Sequence, residues 1–223
     1  MADPVVNTAN ASSAQDSTDD VDIAWSHTVV SGSDVLLLVA VGSGENRNQA
    51  APTSVVFGAD TLTQVPSSYI YNTAFMNASW WYKIAPTVQT ATITATWAGN
   101  QFQKGCVAFQ VTGVHQTTPL GTAATNSNTT GTAVSVTVTS AVGETVVAFA
   151  ATDSETGITE AGTLIKEENN VATDTCYNAQ YYTGAASVNA QWTNAVSNGW
   201  SASGVSIKPL AAGNASAPMF RGS

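Results

Sequence analysis

Three groups of side chains in this chain have the types and spacing that chemistry needs. The first is acidic. Asp153, Glu155 and Glu160 fall within one short stretch, and hard cations such as Ca2+ are held by carboxylate oxygens clustered on loops. The plainer reading of the same residues is a solvated acidic loop. Asp16, Asp19, Asp20 and Asp22 form a second cluster, which reads as a solubilising segment. Glu167 and Glu168 are adjacent, so on a strand they point to opposite faces and do not make the facing pair that glycoside hydrolysis needs. The second group is aromatic. Tyr69 and Tyr71 are spaced to share a strand face, as are Tyr177 and Tyr181, with Tyr182 opposite. Exposed flat rings beside amides stack on sugars and hydrogen-bond their hydroxyls, and Asn72, Asn178 and Gln180 supply such amides. Packing and strand-surface pairing are the alternative use of these rings. The third group is His27 beside Ser26, and His115. With no G-x-S-x-G elbow in the chain, both histidines read as ordinary hydrogen-bonding residues.

The two cysteines, Cys106 and Cys176, read as buried thiols, a single disulfide remaining open. There is no CxxC or HxH spacing. No catalytic residue is singled out, and no cofactor is expected beyond the Ca2+ candidate.

The elements that must position these groups are strands. Ala91, Ile93, Ala95 and Trp97 fall on one face and Thr90, Thr92, Thr94 and Thr96 on the other, the period-2 signature of a half-buried strand. Val107, Phe109 and Val111 repeat the pattern, as do Val134, Val136 and Val138. Residues 35–41 and 145–151 are apolar on both faces, which marks central strands covered on two sides, neighbouring subunits being one source of cover. The run 53–58 and 61–65 reads as a hairpin across Gly58-Ala59-Asp60. Further strands are expected over 21–30, 69–83, 163–168, 175–183, 187–193 and 200–208, and 114–133 reads as a loop. A faint echo relates Ala91-x-Ile93-x-Ala95-x-Trp97 to Ala186-x-Val188-x-Ala190-x-Trp192, and suggests two equivalent halves of one sandwich. The expected fold is all-β: an antiparallel, jelly-roll-like β-sandwich of about a dozen strands over residues 21–209. Residues 1–20 lack periodicity and read as an arm, disordered alone and ordered by docking on a neighbouring subunit, and 210–223 as a tail.

Only 9% of the 223 residues are charged, and the net charge is −9. The six basic residues, Arg47, Lys83, Lys104, Lys166, Lys208 and Arg221, are scattered. Nucleic-acid binding, which needs a clustered basic footprint, is therefore not expected, nor is attraction to anionic membranes. The longest apolar run, 35–41, is too short to span a bilayer as a helix, and no secretory leader is visible at the N-terminus. Four Asn-x-Ser/Thr sequons, at Asn10, Asn77, Asn128 and Asn214, read as chance in a chain this rich in those residues.

Six blocks carry a resemblance when taken together. They are SGSDVLLLVAVGS, TSVVFGADTLTQV, WWYKIAPTVQTATITATW, GCVAFQVTGVHQTTPLGT, VSVTVTSAVGETVVAFAA and WSASGVSIKP. In this order they resemble a widespread β-sandwich module of bacterial extracellular proteins and bacteriophage structural proteins, over about residues 23–209. The resemblance implies a jelly-roll-like fold and a surface or particle location, and carries over no catalytic residue. The expectation is a non-enzymatic structural protein of a phage particle: a capsid (head) decoration, spike, fibre or tail component on the virion surface. Its expected partners are other virion proteins and copies of itself, a trimer being the expected form. The alternative is a carbohydrate-binding module of a bacterial surface or secreted protein, holding host glycans through Tyr69, Tyr71, Tyr177, Tyr181 and Tyr182.

Overall fold

Two β-sandwiches of the same pairing pattern, stacked face to face, make up the body. The computed structural model describes residues 2–44, 50–72, 76–154, 157–170 and 175–211. The first half contains β1 (Val5–Asp16), β2 (Asp20–Val29), β3 (Leu36–Gly44), β4 (Ser54–Phe57), β5 (Asp60–Thr61), β6 (Thr63–Gln64), β7 (Ile70–Tyr71), β8 (Asn77–Ile84) and β9 (Gln89–Thr112). The second contains β10 (Ala124–Asn128), β11 (Ala133–Thr139), β12 (Thr145–Thr152), β13 (Ile158–Glu160), β14 (Thr163–Asn170), β15 (Thr175–Thr183), β16 (Ser187–Asn194) and β17 (Trp200–Ile207). All the pairings are antiparallel.

In the first half β1, the later part of β9, β3, β8 and β6 lie side by side, while β2, the early part of β9 and β4 form a second layer. In the second half β10, β17, β12, β15 and β14 lie side by side in the same relation, and β11, β16 and β13 form the second layer. The echo between residues 91–97 and 186–192 thus reports two equivalent sandwiches rather than two halves of one. One difference is covalent. β9 runs unbroken through both layers of its half, turning at Gln103 (φ 50°), whereas β16 and β17 divide that path in the second half.

The four layers explain the strands that are apolar on both faces. Leu36, Leu38 and Ala40 of β3 face the centre of the molecule, where they meet Val147, Phe149 and Ala151 of β12. Leu37, Val39 and Val41 face outward onto Ile23, Trp25, Ile93 and Trp97 of their own second layer. β12 does the same, with Ala148 and Ala150 packed on Val134, Val136 and Trp192. Every residue of β3 and β12 is buried by this chain alone, so neighbouring copies are not needed to cover them. Trp80, Trp81, Trp97 and Trp192 are core residues, as their strand patterns imply.

Polar groups join the halves across the centre. The indole N–H of Trp80 donates to the Ser203 carbonyl (3.0 Å), Ser201 to the Met76 carbonyl (2.7 Å) and Ser203 to the Ser68 carbonyl (2.8 Å). Burial makes such bonds obligatory, because each carbonyl would otherwise be stranded.

Three expectations are corrected. Residues 5–16 are no free arm: β1 pairs with β9 of its own body. Its register breaks between Asn7 and Ser12, so Val6 and Ala11 reach the central core while Ala14 reaches the outer one. The bare edge of β9 supplies unpaired backbone groups that this polar, weakly patterned segment can satisfy. The stretch 114–133, read as loop, contains β10, and the acidic stretch contains β13. Both were hidden because short edge strands need little apolar character. The buried-thiol reading of the cysteines holds, and they form no disulfide. Both are buried and free, Cys106 in the first half's outer core and Cys176 in the second's.

Candidate functional site

The five tyrosines do not form one surface. Tyr177 is fully buried at the centre of the molecule, stacked on Phe149 (6.2 Å between centroids, 14° between planes). Its hydroxyl donates to the Gln103 carbonyl, and its ring lies against Gly42 and Gly105, where a Cβ would have no room. Burial pushes its phenol far above the ordinary range. It cannot stack on a sugar, and that expectation is corrected: the face it shares with Tyr181 turns toward the other half of the molecule. Tyr181 is half-buried at the rim of the same core. Tyr182, on the opposite face, is half-buried over Gly162. Its hydroxyl donates to Gln180 Oε1 (3.0 Å) and accepts from the Gln191 N–H (3.1 Å).

The amides expected to serve sugar hydroxyls are occupied as well. Asn72, Asn178 and Gln180 are all buried. Asn72 Nδ2 donates to the carbonyls of Asn128 and Trp200, and Gln180 Nε2 to that of Gln191. Asn178 is discussed below.

Tyr69 and Tyr71 remain. Their rings lie 6.2 Å apart at 31°, and Tyr71 is 44% exposed. Burial and the neighbouring Tyr71 push the Tyr69 phenol up to about 12, so it stays a neutral donor. Beside them the turn at Val65, Pro66 and Ser67 separates two depressions. One, of about 320 Å3, is bounded by Gln64 and Tyr69; the other, of about 330 Å3, by Tyr82, Thr117 and Thr118. Among the described residues no charged side chain lines either depression.

A carboxylate pair was not foreseen. Glu160 of β13 and Glu167 of β14 line a cleft of about 430 Å3 with Asn169 and Thr193. Asn178 Nδ2 donates to Glu160 Oε2 (3.1 Å) and lies 3.5 Å from Glu167 Oε2, while Trp192 Nε1 donates to Asn178 Oδ1 (2.8 Å). Asn169 Nδ2 holds Glu167 from the other side (2.8 Å). Two carboxyls on one cleft are what glycoside hydrolysis uses, but there a sugar stands between them. Here both oxygens converge on one amide nitrogen. The pair joins residues from two strands, so local spacing could not reveal it.

For the Ca2+ candidate, Glu155 lies outside the described residues. Among those described, Asp153 and Glu160 join no group of three or more His, Cys, Asp or Glu side chains fit to hold a metal ion.

Two buried polar groups do structural work. Lys104, fully buried, reaches Asp20 Oδ1 (2.5 Å), Asp16 Oδ2 (3.5 Å) and the Thr18 carbonyl (2.7 Å). Two residues of the supposed solubilising cluster thus clamp the β1–β2 turn. Burial opposes the Asp16 charge, but the Thr18 hydrogen bonds and Lys104 outweigh it and hold its carboxyl below the usual range. His27, inside the outer core, shares a 2.8 Å hydrogen bond through Nδ1 with Ser12, which also accepts from Trp25 Nε1 (3.0 Å). Burial lowers its value to about 4, so the ring is neutral near pH 7. Its partner is Ser12 of β1, not the adjacent Ser26. Among the described residues no helix is long and apolar enough to cross a membrane.

Compared with known protein families and with curated proteins, the chain matches none.

Proposed function

We propose that this chain is a non-enzymatic structural protein of a phage particle, displayed on the virion surface as a head decoration, spike, fibre or tail component, with a jelly-roll-like fold in each half. One observation carries the reading: the chain enters and leaves the rigid four-layer body at the same end. Val5 pairs with Thr112, the Pro4 carbonyl accepts from Thr145 (2.9 Å), and the Leu210 N–H donates to the Gly113 carbonyl (2.8 Å). A body held at one end presents the other. The low charge, and the resemblance of its sequence blocks to phage and extracellular β-sandwich modules, support the same reading. Its partners are other virion proteins and copies of itself. Mass spectrometry of gradient-purified particles is the test, with a fixed copy number per particle as the expected result. Recovery of the protein only in the unsedimented supernatant defeats the proposal.

A second reading, a carbohydrate-binding module, is favoured by the exposed Tyr71 beside Tyr69. Glycan-array binding that Tyr71→Ala abolishes supports it; an array without hits removes it.

A further inference from the structure

We infer that the two depressions beside the Val65–Ser67 turn are one groove for a short neutral oligosaccharide, with Tyr69 on one side of a central ridge and Tyr82 on the other. This rests on the carbohydrate-binding reading and gives it a place other than the exposed tyrosine face. The depressions share Val65, Pro66 and Ser67 as a common wall. Each sits at the lower end of the range of about 300–1,000 Å3 for ligand pockets, which suits one sugar unit on either side of the ridge.

The lining selects the ligand class. Gln64, Ser67, Thr117 and Thr118 offer amide and hydroxyl groups, and Tyr69 and Tyr82 offer half-buried rings. Sugars present that combination of hydroxyl edges and apolar ring faces. Among the described residues the lining contains no lysine, arginine or carboxylate to compensate a sulfate, a phosphate or a cation.

The ridge is also preorganised. The buried Ser68 hydroxyl donates to the Val65 carbonyl (2.8 Å) and accepts from the Trp80 N–H (3.1 Å), and Ser203 of the other half holds the Ser68 carbonyl (2.8 Å). Ser67 is kept at φ 60°, a conformation that favours glycine and that these bonds impose. A ridge already ordered loses little freedom on binding. The far wall comes from residues 117–122, in the segment between the two halves.

The test titrates the full chain with tetra- to hexasaccharides of glucose, galactose, mannose and N-acetylhexosamine, and with sulfated counterparts, by saturation-transfer NMR and calorimetry. Expected are binding of a neutral member, no preference for its sulfated form, loss of binding in Thr118→Arg, and about three- to tenfold weaker binding in Tyr82→Phe. Thr118 is exposed, so the arginine is compatible with folding; should circular dichroism show otherwise, Tyr82→Phe decides. Binding lost in Tyr71→Ala but unchanged in both groove variants overturns the groove and leaves the carbohydrate-binding reading standing. Absence of binding to any neutral oligosaccharide overturns both, and preference for a sulfated one overturns the ligand class.

Discussion

The two sandwiches share a framework and differ in what hangs from it. Each is built on five paired strands against three, the first half adding the short β5 and β7, with a central strand buried on both faces. At the turn before its outer hairpin, the first half carries proline, serine and tyrosine around a neutral groove. On a different part of its framework, β13 and β14, the second carries Glu160 and Glu167 around an acidic cleft. Their outer cores differ too. The first encloses His27, whereas β11 supplies Val134, Val136 and Val138 at its inward positions. Pairing pattern and surface chemistry are therefore separable: the first follows from alternating apolar residues, and the second from connections the framework does not constrain.

The comparison breaks most readily at the centre. Tyr177→Ala removes the ring that packs against both halves, and a cost of about 3–5 kcal/mol is expected. Calorimetry should still show a single transition, lowered in temperature; two transitions would mean that the halves unfold separately.

Acid should act on the first half before the second. His27 is neutral when folded, with a value of about 4 against 6.5 for a free ring. Between those values the unfolded chain binds more protons, so the contribution is complete above pH 6.5 and lost as pH falls to 4. At about 1.4 kcal/mol per unit, this amounts to about 3 kcal/mol at most. Hydrogen exchange at pH 4.5 should loosen β1 and β2 ahead of β11 and β16, and His27→Gln should flatten the dependence.

A smaller effect is expected at the β1–β2 turn. Replacing Asp16 and Asp20 together by Asn leaves Lys104 buried without its carboxylates. Both aspartates are partly exposed, so solvent already screens the pair, and a loss of about 2 kcal/mol is expected from urea melts. Smallest of all, Glu160→Gln keeps an acceptor oxygen for the buried Asn178 amide, so stability should change by less than about 1 kcal/mol, and saccharide binding in the other half should be untouched. A large effect on binding would mean that the acidic cleft, not the neutral groove, is the ligand site.

Much of this fold was legible residue by residue. The alternation at Ala91–Trp97 and at Val134–Val138, and the doubly apolar 35–41 and 145–151, placed strands where β9, β11, β3 and β12 run. β1 was not legible, because its order comes from the edge of β9 and from bonds such as Ser12 to His27 and Ser13 to Glu168. The candidate site was legible only in part. Tyr69 and Tyr71 could be paired by spacing, but Tyr82 and Thr118 come from distant segments, and Glu160 and Glu167 meet only through the separate pairings of their strands.

By itself the sequence determined the all-β class, the positions of the strongly patterned strands and the low share of charged residues, because period and composition are local properties. Only the tertiary structure decided that the echo meant two stacked sandwiches, that residues 5–16 belong to the body, and that Tyr177 lies in its centre. Those outcomes depend on which face of a strand meets which sheet, and a period-2 pattern separates two faces without saying what covers either.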